Sequence, residues 1–200
     1  MSSSPRRTVR DVARRAVQAE LVSVAQELFD EFGYEDTTVD AIATAAGMSR
    51  RTFFRYFASK EELVLGKYDL LGEQLLEAFR ARADDEPLWT ALRGMFETVV
   101  SAAGGVNDDI PVHAIERIVD ETPALRGGYL YRLESIQTTI AAEARQRAAR
   151  IGAAYAPDDP APEAMVGAAF ACMSAARAIS SAFDVPLTTT ADRAMRAMHP

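Results

Sequence analysis

Residues 37–63 read TTVDAIATAAGMSRRTFFRYFASKEEL, and this stretch decides the fold class. Its apolar residues recur at helical spacing in two short runs separated by Gly47. The threonines at 37 and 38 offer hydroxyls that can cap a first helix of about two turns, and Ser49 can cap a second helix over residues 50–57. Two short helices joined by a tight turn containing glycine, with arginines on the second, predict a helix-turn-helix.

The second of these helices has two different sides. At about 100° per residue, Phe53 and Phe57 share one side, which should pack on the preceding helices. The opposite side carries Arg51, Thr52, Phe54 and Arg55. Arginines on a helix are most often plain solvated surface. An exposed aromatic among arginines, however, suits the major groove, where guanidinium groups meet guanine edges or phosphates and a ring meets thymine methyl groups.

The flanking segments fit the same geometry. Thr38 at the start of the first short helix, and Lys60 at the start of a long helix that follows, are expected beside the DNA backbone, where they can hold phosphates. Ser59 and Glu62 form a capping box for that long helix. The arginines among residues 6–15 could form an arm over the backbone or in the minor groove.

The remainder of the chain is also predicted to be helical. A first helix over residues 11–32 has a stripe of apolar residues and ends at Gly33. Beyond Lys60, breaks at proline and glycine divide the chain into helices over about 60–82, 88–103, 112–120, 124–152, 163–183 and 190–198. No stretch alternates as a strand does, so we expect an all-α fold with an N-terminal domain of residues 1–60 and a helical domain of residues 61–200.

Charge is distributed unevenly between those two parts. The 200-residue chain has 22 Lys and Arg against 29 Asp and Glu, a net charge of -7, which excludes a generally basic nucleic-acid coat. Nine of the basic residues, but only eight of the acidic ones, lie in residues 1–60. The one cysteine, Cys172, and two histidines supply neither a disulfide nor a convincing metal or nucleophile site. We therefore expect no catalytic residues, no metal and no cofactor.

Membrane and export signals are not evident in the pattern. The longest uncharged apolar stretch covers the 13 residues of 164–176, and a membrane-spanning helix needs about 20. The basic start has no apolar segment behind it, as a secretory signal would. The expectation is a cytoplasmic protein with no membrane partner.

Residues 16–65 as a whole resemble the DNA-binding domain of the TetR family of bacterial transcriptional regulators. The resemblance rests on three consecutive segments, namely TTVDAIA at 37–43, GMSRRTFFRYF at 47–57 and SKEEL at 59–63. It implies a three-helix DNA-binding domain in which the residues that touch DNA are Thr38, Arg50, Arg51, Thr52, Phe54, Arg55, Tyr56 and Lys60. Phe54 and Arg55 occupy positions that often hold tyrosine, and Tyr56 one that often holds histidine, so the base preference stays open.

For the C-terminal part, the resemblance implies an effector pocket and a homodimer. It implies a repressor that leaves a palindromic DNA operator when a small-molecule effector binds, with the effector unidentified. Candidate pocket residues are Trp89, Phe96, Tyr129, Tyr131, Phe170 and Met173, although such residues at helical spacing are more often core. His113 and Arg117, four apart, could hold an anionic or polar effector, although His113 is as readily an ordinary surface residue.

Small residues on the penultimate helix support pairing with a second copy. They would let two helices approach closely, and a monomer would leave them exposed as an apolar surface. They are Ala164, Gly167, Ala168, Ala171, Ser174, Ala175 and Ala178.

Two other classes of function remain open. The acidic pairs at 84–85, 108–109 and 158–159 could belong to an all-α metal-dependent enzyme, but each lies in a break beside Pro or Gly, which favours a solvated loop. A helical module that binds a ligand or a protein without binding DNA is the other alternative. It would form the same dimer, and the arginines of the second short helix argue against it.

Overall fold

A computed structural model describes residues 9–103, residue 119 and residues 122–198. Within these residues all regular secondary structure is helical, which confirms the predicted all-α class. The helices are α1 (Val9–Phe32), α2 (Val39–Ala45), α3 (Arg50–Phe53), α4 (Lys60–Arg80), α5 (Leu88–Ala103), α6 (Pro123–Arg150), α7 (Ala161–Phe183) and α8 (Leu187–Met198). The helix predicted over 112–120 lies outside the described residues, apart from Val119.

The predicted helices agree with these bounds within about three residues, except at the end of α3. That helix was predicted to reach Phe57 but ends at Phe53. The chain tightens there because Arg55 N–H donates to the carbonyl of Thr52 and Tyr56 N–H to that of Phe53, which are three-residue rather than four-residue steps. Phe57 lies beyond the end of the helix but is nevertheless buried on the same side as Phe53.

The chain divides into two compact units. The first contains α1 to α3, α4 up to Lys67, and the start of α6 up to Gly128. The second contains α4 from Tyr68, α5, α6 from Tyr129, α7 and α8. The division into functional domains at residue 60 stays a prediction.

The core of the first unit is built on α1. Its residues Leu21, Ala25 and Phe29 are buried, as its apolar stripe predicts. Phe32, which the pattern placed in the same stripe, is instead 55% exposed. Tyr34 packs edge-on against Phe29 with ring centroids 5.2 Å apart, so an aromatic from beyond the helix fills the position that Phe32 was expected to take.

The core of the second unit is formed where α5, α7 and α8 pack together with the later parts of α4 and α6. Its fully buried side chains include Phe79, Leu92, Met95, Ile140 and Met195. By length and composition alone α7 could cross a membrane, which the count of uncharged residues did not predict. One face of α7 packs into this core through Val166, Phe170 and Met173.

A buried ionic cluster holds the loop between α4 and α5 to α6. Arg147, 4% exposed, donates from Nη2 to the carbonyls of Ala83 and Glu86. Glu143, 6% exposed, accepts from Arg80 at 2.7 Å and from Arg150 at 3.2 Å. Asp84, one of the loop carboxylates that could have served a metal, is hydrogen-bonded to Arg150, and this bond lowers its pKa.

Candidate nucleic-acid interface

The first short helix, α2, begins at a threonine, although only one of the two threonines has the predicted role. Thr38 is the N-cap, and its hydroxyl accepts from Ala41 N–H at 3.1 Å. Thr37 does not cap the helix. It is 3% exposed, and its hydroxyl lies 2.7 Å from the carbonyl of Gly33, to which it donates, closing the end of α1.

The turn between α2 and α3 has the predicted geometry. Gly47 adopts φ +66°, a left-handed conformation that residues with a Cβ rarely take. Met48 N–H then donates to the carbonyl of Ala43, and Ser49 becomes the N-cap of α3 by accepting from Thr52 N–H at 3.1 Å. The two short helices and this turn form the helix-turn-helix that the sequence predicts.

The two sides of α3 are separated as predicted. Phe53 is fully buried and Phe57 is 5% exposed, and their ring centroids lie 6.0 Å apart. Phe54, which follows Phe53 in sequence, is 44% exposed, and its ring lies edge-on to that of Phe53. Arg50, Arg51 and Arg55 are exposed, and Thr52 and Tyr56 are half-buried. The buried rings of Phe53 and Phe57 thus fix α3 in an orientation in which its arginines face solvent.

The three arginines of this surface differ in their partners. Arg50 forms an exposed ion pair of 2.8 Å with Asp40 of α2, and its guanidinium lies 5.5 Å from the centroid of the Phe54 ring. Arg55 lies 5.2 Å from the centroid of the Tyr56 ring. Arg51 makes no hydrogen bond or ion pair with any residue that the structure describes, so its charge is available to a partner.

Lys60, at the start of α4, has hydrogen-bond partners within the protein, and its expected contact with a DNA phosphate stays a prediction. Its Nζ donates to the carbonyl of Tyr34 at 2.5 Å and to that of Thr37 at 3.0 Å, and Glu35 offers a third carbonyl at 3.5 Å. An ammonium group has three donors, and these three carbonyls are the acceptors that surround it. An aromatic directly after the helix-ending glycine, and a lysine opening α4, were the available signals for this contact.

The N-terminal arginines are described only in part. Arg10 and Arg14 are exposed on the first turns of α1. Arg6 and Arg7 lie outside the described residues, so the arm remains a prediction.

The candidate effector residues do not form one group. Trp89, Phe96, Phe170 and Met173 are all buried in the core of the second unit, where the Trp89 indole N–H donates to the carbonyl of Met195 at 3.3 Å and Phe96 meets Phe170 edge-on at 5.1 Å. Tyr131 is 71% exposed, which contradicts its placement as an enclosed residue.

Helical phase explains the position of Tyr131, because on α6 the residues Ile136 and Ile140 face the core and Tyr131 lies on the other side. Tyr129 is half-buried with its ring 4.8 Å from that of Tyr68. His113 and Arg117 lie outside the described residues.

The small residues of α7 lie on its outer face. Ala164, Ala171, Ala175 and Ala178 are exposed, and Ala168 is half-exposed. Larger apolar side chains continue this face toward the end of the helix, since Ile179 is 46% exposed and Phe183 is 70% exposed.

These features define a helix-turn-helix in the first unit, and a second helical unit follows it. Residues 21–66 match the family profile described as bacterial regulatory proteins, tetR family. The match confirms the resemblance identified in the sequence.

Known proteins resemble the chain beyond this domain. The HTH-type transcriptional regulator TcmR of Streptomyces glaucescens is 39% identical over 134 residues, which cover 64% of this chain and 58% of TcmR. The chain thus spans less than two thirds of the length of such curated relatives.

Two solved structures share the fold. A putative TetR-family transcriptional regulator from Mesorhizobium loti is 18% identical, with a TM-score of 0.61 over 92% of this chain and 95% of that one. FadR of Thermus thermophilus, described as a TetR-family transcriptional repressor in complex with lauroyl-CoA, is 20% identical, with a TM-score of 0.56 over 90% of this chain and 91% of FadR.

Proposed function

We propose that this chain is a transcriptional regulator, a repressor that binds a palindromic DNA operator through α2 and α3 and leaves it when a small molecule binds the second unit. The observation that carries the proposal is the outward cationic face of α3, held by the buried rings of Phe53 and Phe57. Identity to named transcriptional regulators supports the same class, which implies a cytoplasmic protein without catalytic activity.

The proposed DNA surface consists of the exposed side of α3 and the cap of α2. Arg51 reads a base edge, because its guanidinium is exposed and has no partner among the described residues. Phe54 offers an apolar ring to thymine methyl groups, while Arg50 and Arg55 are held over the Phe54 and Tyr56 rings and can turn to phosphates or bases. Thr38 and Thr52 present hydroxyls beside them.

The proposed homodimer uses the outer face of α7. Alanines at 164, 168, 171, 175 and 178 alternate in steps of four and three residues, the spacing that keeps a helix seam against a partner helix. Because they are small, two copies of α7 can approach closely, and Ile179 and Phe183 become covered at the end of the seam. A symmetric dimer presents two copies of α3, which matches a palindromic site.

Replacing Ala171 by glutamate should therefore disrupt the dimer. Two carboxylates would be buried against each other at the centre of the seam, which costs several kcal/mol. Sedimentation velocity should show a dimer for the unchanged protein and a monomer for Ala171→Glu. The matched control is Ala197→Glu on the exposed side of α8, which should remain dimeric. A dimeric Ala171→Glu protein would place the interface elsewhere.

The proposed effector site lies in the second unit. In this proposal, α4 carries a change of conformation at that site to the first unit. Helix α4 begins in the first unit and ends in the second, so the two units share one continuous helix. An effector that favours a changed arrangement of the second unit would alter the spacing of the two α3 helices in a dimer, so that they no longer fit successive major grooves. The lauroyl-CoA bound by FadR supports a small-molecule site in proteins of this fold.

The test of DNA binding is selection of bound fragments from random duplex DNA with the purified protein. We expect enrichment of a two-fold symmetric sequence. Arg51→Ala should then bind the selected duplex about 1 to 3 kcal/mol more weakly and tolerate changes at one base pair of each half-site. Arg126→Ala, an exposed arginine outside the helix-turn-helix, should bind as the unchanged protein does. Unaltered affinity and base preference in Arg51→Ala would contradict the assignment of Arg51.

A further inference from the structure

We propose that Lys60 is a positioning residue of the DNA-binding unit rather than a phosphate contact: it fixes the loop between α1 and α2, and with it the start of α2, to the beginning of α4. The proposal rests on the proposed DNA-binding function for its consequence. Its structural part concerns the protein alone and can be tested without DNA.

The first support is the set of acceptors around the ammonium. Carbonyl oxygens of Tyr34, Glu35 and Thr37 lie 2.5, 3.5 and 3.0 Å from Lys60 Nζ. All three belong to the short segment that leaves α1 and enters α2. A compact ammonium with three donors fits three converging carbonyls, whereas the planar guanidinium of arginine does not.

The second support is Tyr34, which encloses the same group. The ammonium lies 4.0 Å from the centroid of the Tyr34 ring, a cation–π contact, and the ring is buried against Phe29. The Tyr34 hydroxyl donates to the carboxylate of Glu61 at 3.2 Å. Burial, followed by the charge of Glu61, raises the pKa of the Tyr34 phenol, so the hydroxyl stays a donor at neutral pH. Lys60 and Glu61, consecutive residues at the start of α4, thus both contact Tyr34 in the loop.

The third support is the other end of the loop. The buried hydroxyl of Thr37 donates to the carbonyl of Gly33, and the next residue, Thr38, caps α2. Lys60 accordingly fixes where α2 begins relative to the start of α4. Because α2 leads directly into α3 through the Gly47 turn, a displaced α2 would displace α3 and its exposed arginines.

Salt dependence separates a positioning residue from a phosphate contact. Each phosphate contact releases about 0.9 of a counterion, so losing one flattens the plot of log affinity against log salt by about 0.9. Using the selected duplex, we expect Lys60→Met to bind about tenfold more weakly at every salt concentration with an unchanged slope, because charge-assisted hydrogen bonds within the protein are lost.

Two variants complete that experiment. Lys60→Arg should fail to restore affinity, although arginine binds phosphate at least as well as lysine does. Arg51→Met, which removes the proposed base-reading guanidinium, should lower affinity and relax the base preference at one base pair of each half-site, an effect that Lys60→Met should not have. A flattened slope in Lys60→Met, or full affinity in Lys60→Arg, would overturn the proposal.

Acetylation of the unchanged protein provides a test that needs no variant to fold. Lys60 and Lys67, the two lysines of the chain, are treated with acetic anhydride with and without duplex DNA, and each product is quantified by mass spectrometry. We expect Lys60 to react slowly in the free protein and no more slowly in the complex, with Lys67 as the internal reference. Rapid acetylation in free protein with protection only on DNA would overturn the proposal. If the unchanged protein binds no duplex, the proposed function fails while the reactivity of Lys60 in the free protein still decides the role of the loop contact.

Discussion

Replacing Phe53 by alanine is expected to lower the free energy of unfolding of the first unit by about 3 to 5 kcal/mol. The ring is fully buried, and it contacts both Phe54 and Phe57. Its removal leaves a cavity beneath α3, a helix of only four residues that has little stability of its own. Urea denaturation followed by circular dichroism, with hydrogen exchange of peptides from residues 39–57, would measure the loss. DNA binding should be lost with it.

The neighbouring residue provides the matched control. Phe54→Ala removes the same ring from a side chain that is 44% exposed, so the stability should fall by less than about 1 kcal/mol. Affinity for the selected duplex should nevertheless decrease, because this ring is proposed to meet the bases. Equal destabilisation by Phe53→Ala and Phe54→Ala would contradict the inside–outside assignment on which the DNA surface rests.

Replacing Arg147 by alanine should destabilise the second unit by about 3 to 5 kcal/mol. The guanidinium is 4% exposed, lies 5.5 Å from the centroid of the Phe79 ring and donates to two carbonyls of the loop between α4 and α5. Its loss leaves those carbonyls without their donor and leaves the nearby carboxylate of Asp84, 4.0 Å away, with less compensating charge. Thermal or urea unfolding at fixed protein concentration would measure the change.

Two further variants show why Arg147→Ala should destabilise the second unit. Arg147→Met keeps most of the packing volume, so it should cost less than Arg147→Ala and separate the hydrogen bonds from the cavity. Arg193→Ala, an exposed arginine on α8, should change stability by no more than about 0.5 kcal/mol. If Arg147→Ala were as stable as Arg193→Ala, the cluster would not hold the loop.

The sequence predicted those parts of the fold that depend on local signals. Gly47 and Ser49 are decided by backbone conformation and capping within a few residues, and the orientation of Phe53 follows from helical phase. These predictions agree with the structure.

Contacts between residues that are distant in sequence could not be predicted. Lys60 and Tyr34 are 26 residues apart, and the aromatic after Gly33 and the lysine opening α4 do not by themselves show that the two residues meet. Tyr131 could not be assigned to the exposed side of α6 either. Helical spacing shows which residues share a face of a helix, but not which face the rest of the unit covers. The choice between Thr37 and Thr38 as the cap is instead local: Thr37 donates to the carbonyl of Gly33, four residues before it, and this leaves Thr38 to cap α2.

The ion pair between Arg50 and Asp40 bears on how the protein would search a genome. Both side chains are more than half exposed, so the pair contributes less than about 1 kcal/mol and opens readily. While it is closed, the reading surface carries one fewer uncompensated charge, and the whole chain has a net charge of -7. In the proposed function, an arbitrary sequence would meet a DNA-binding surface with one cation already paired, whereas a site that accepts Arg50 would gain one further charged contact.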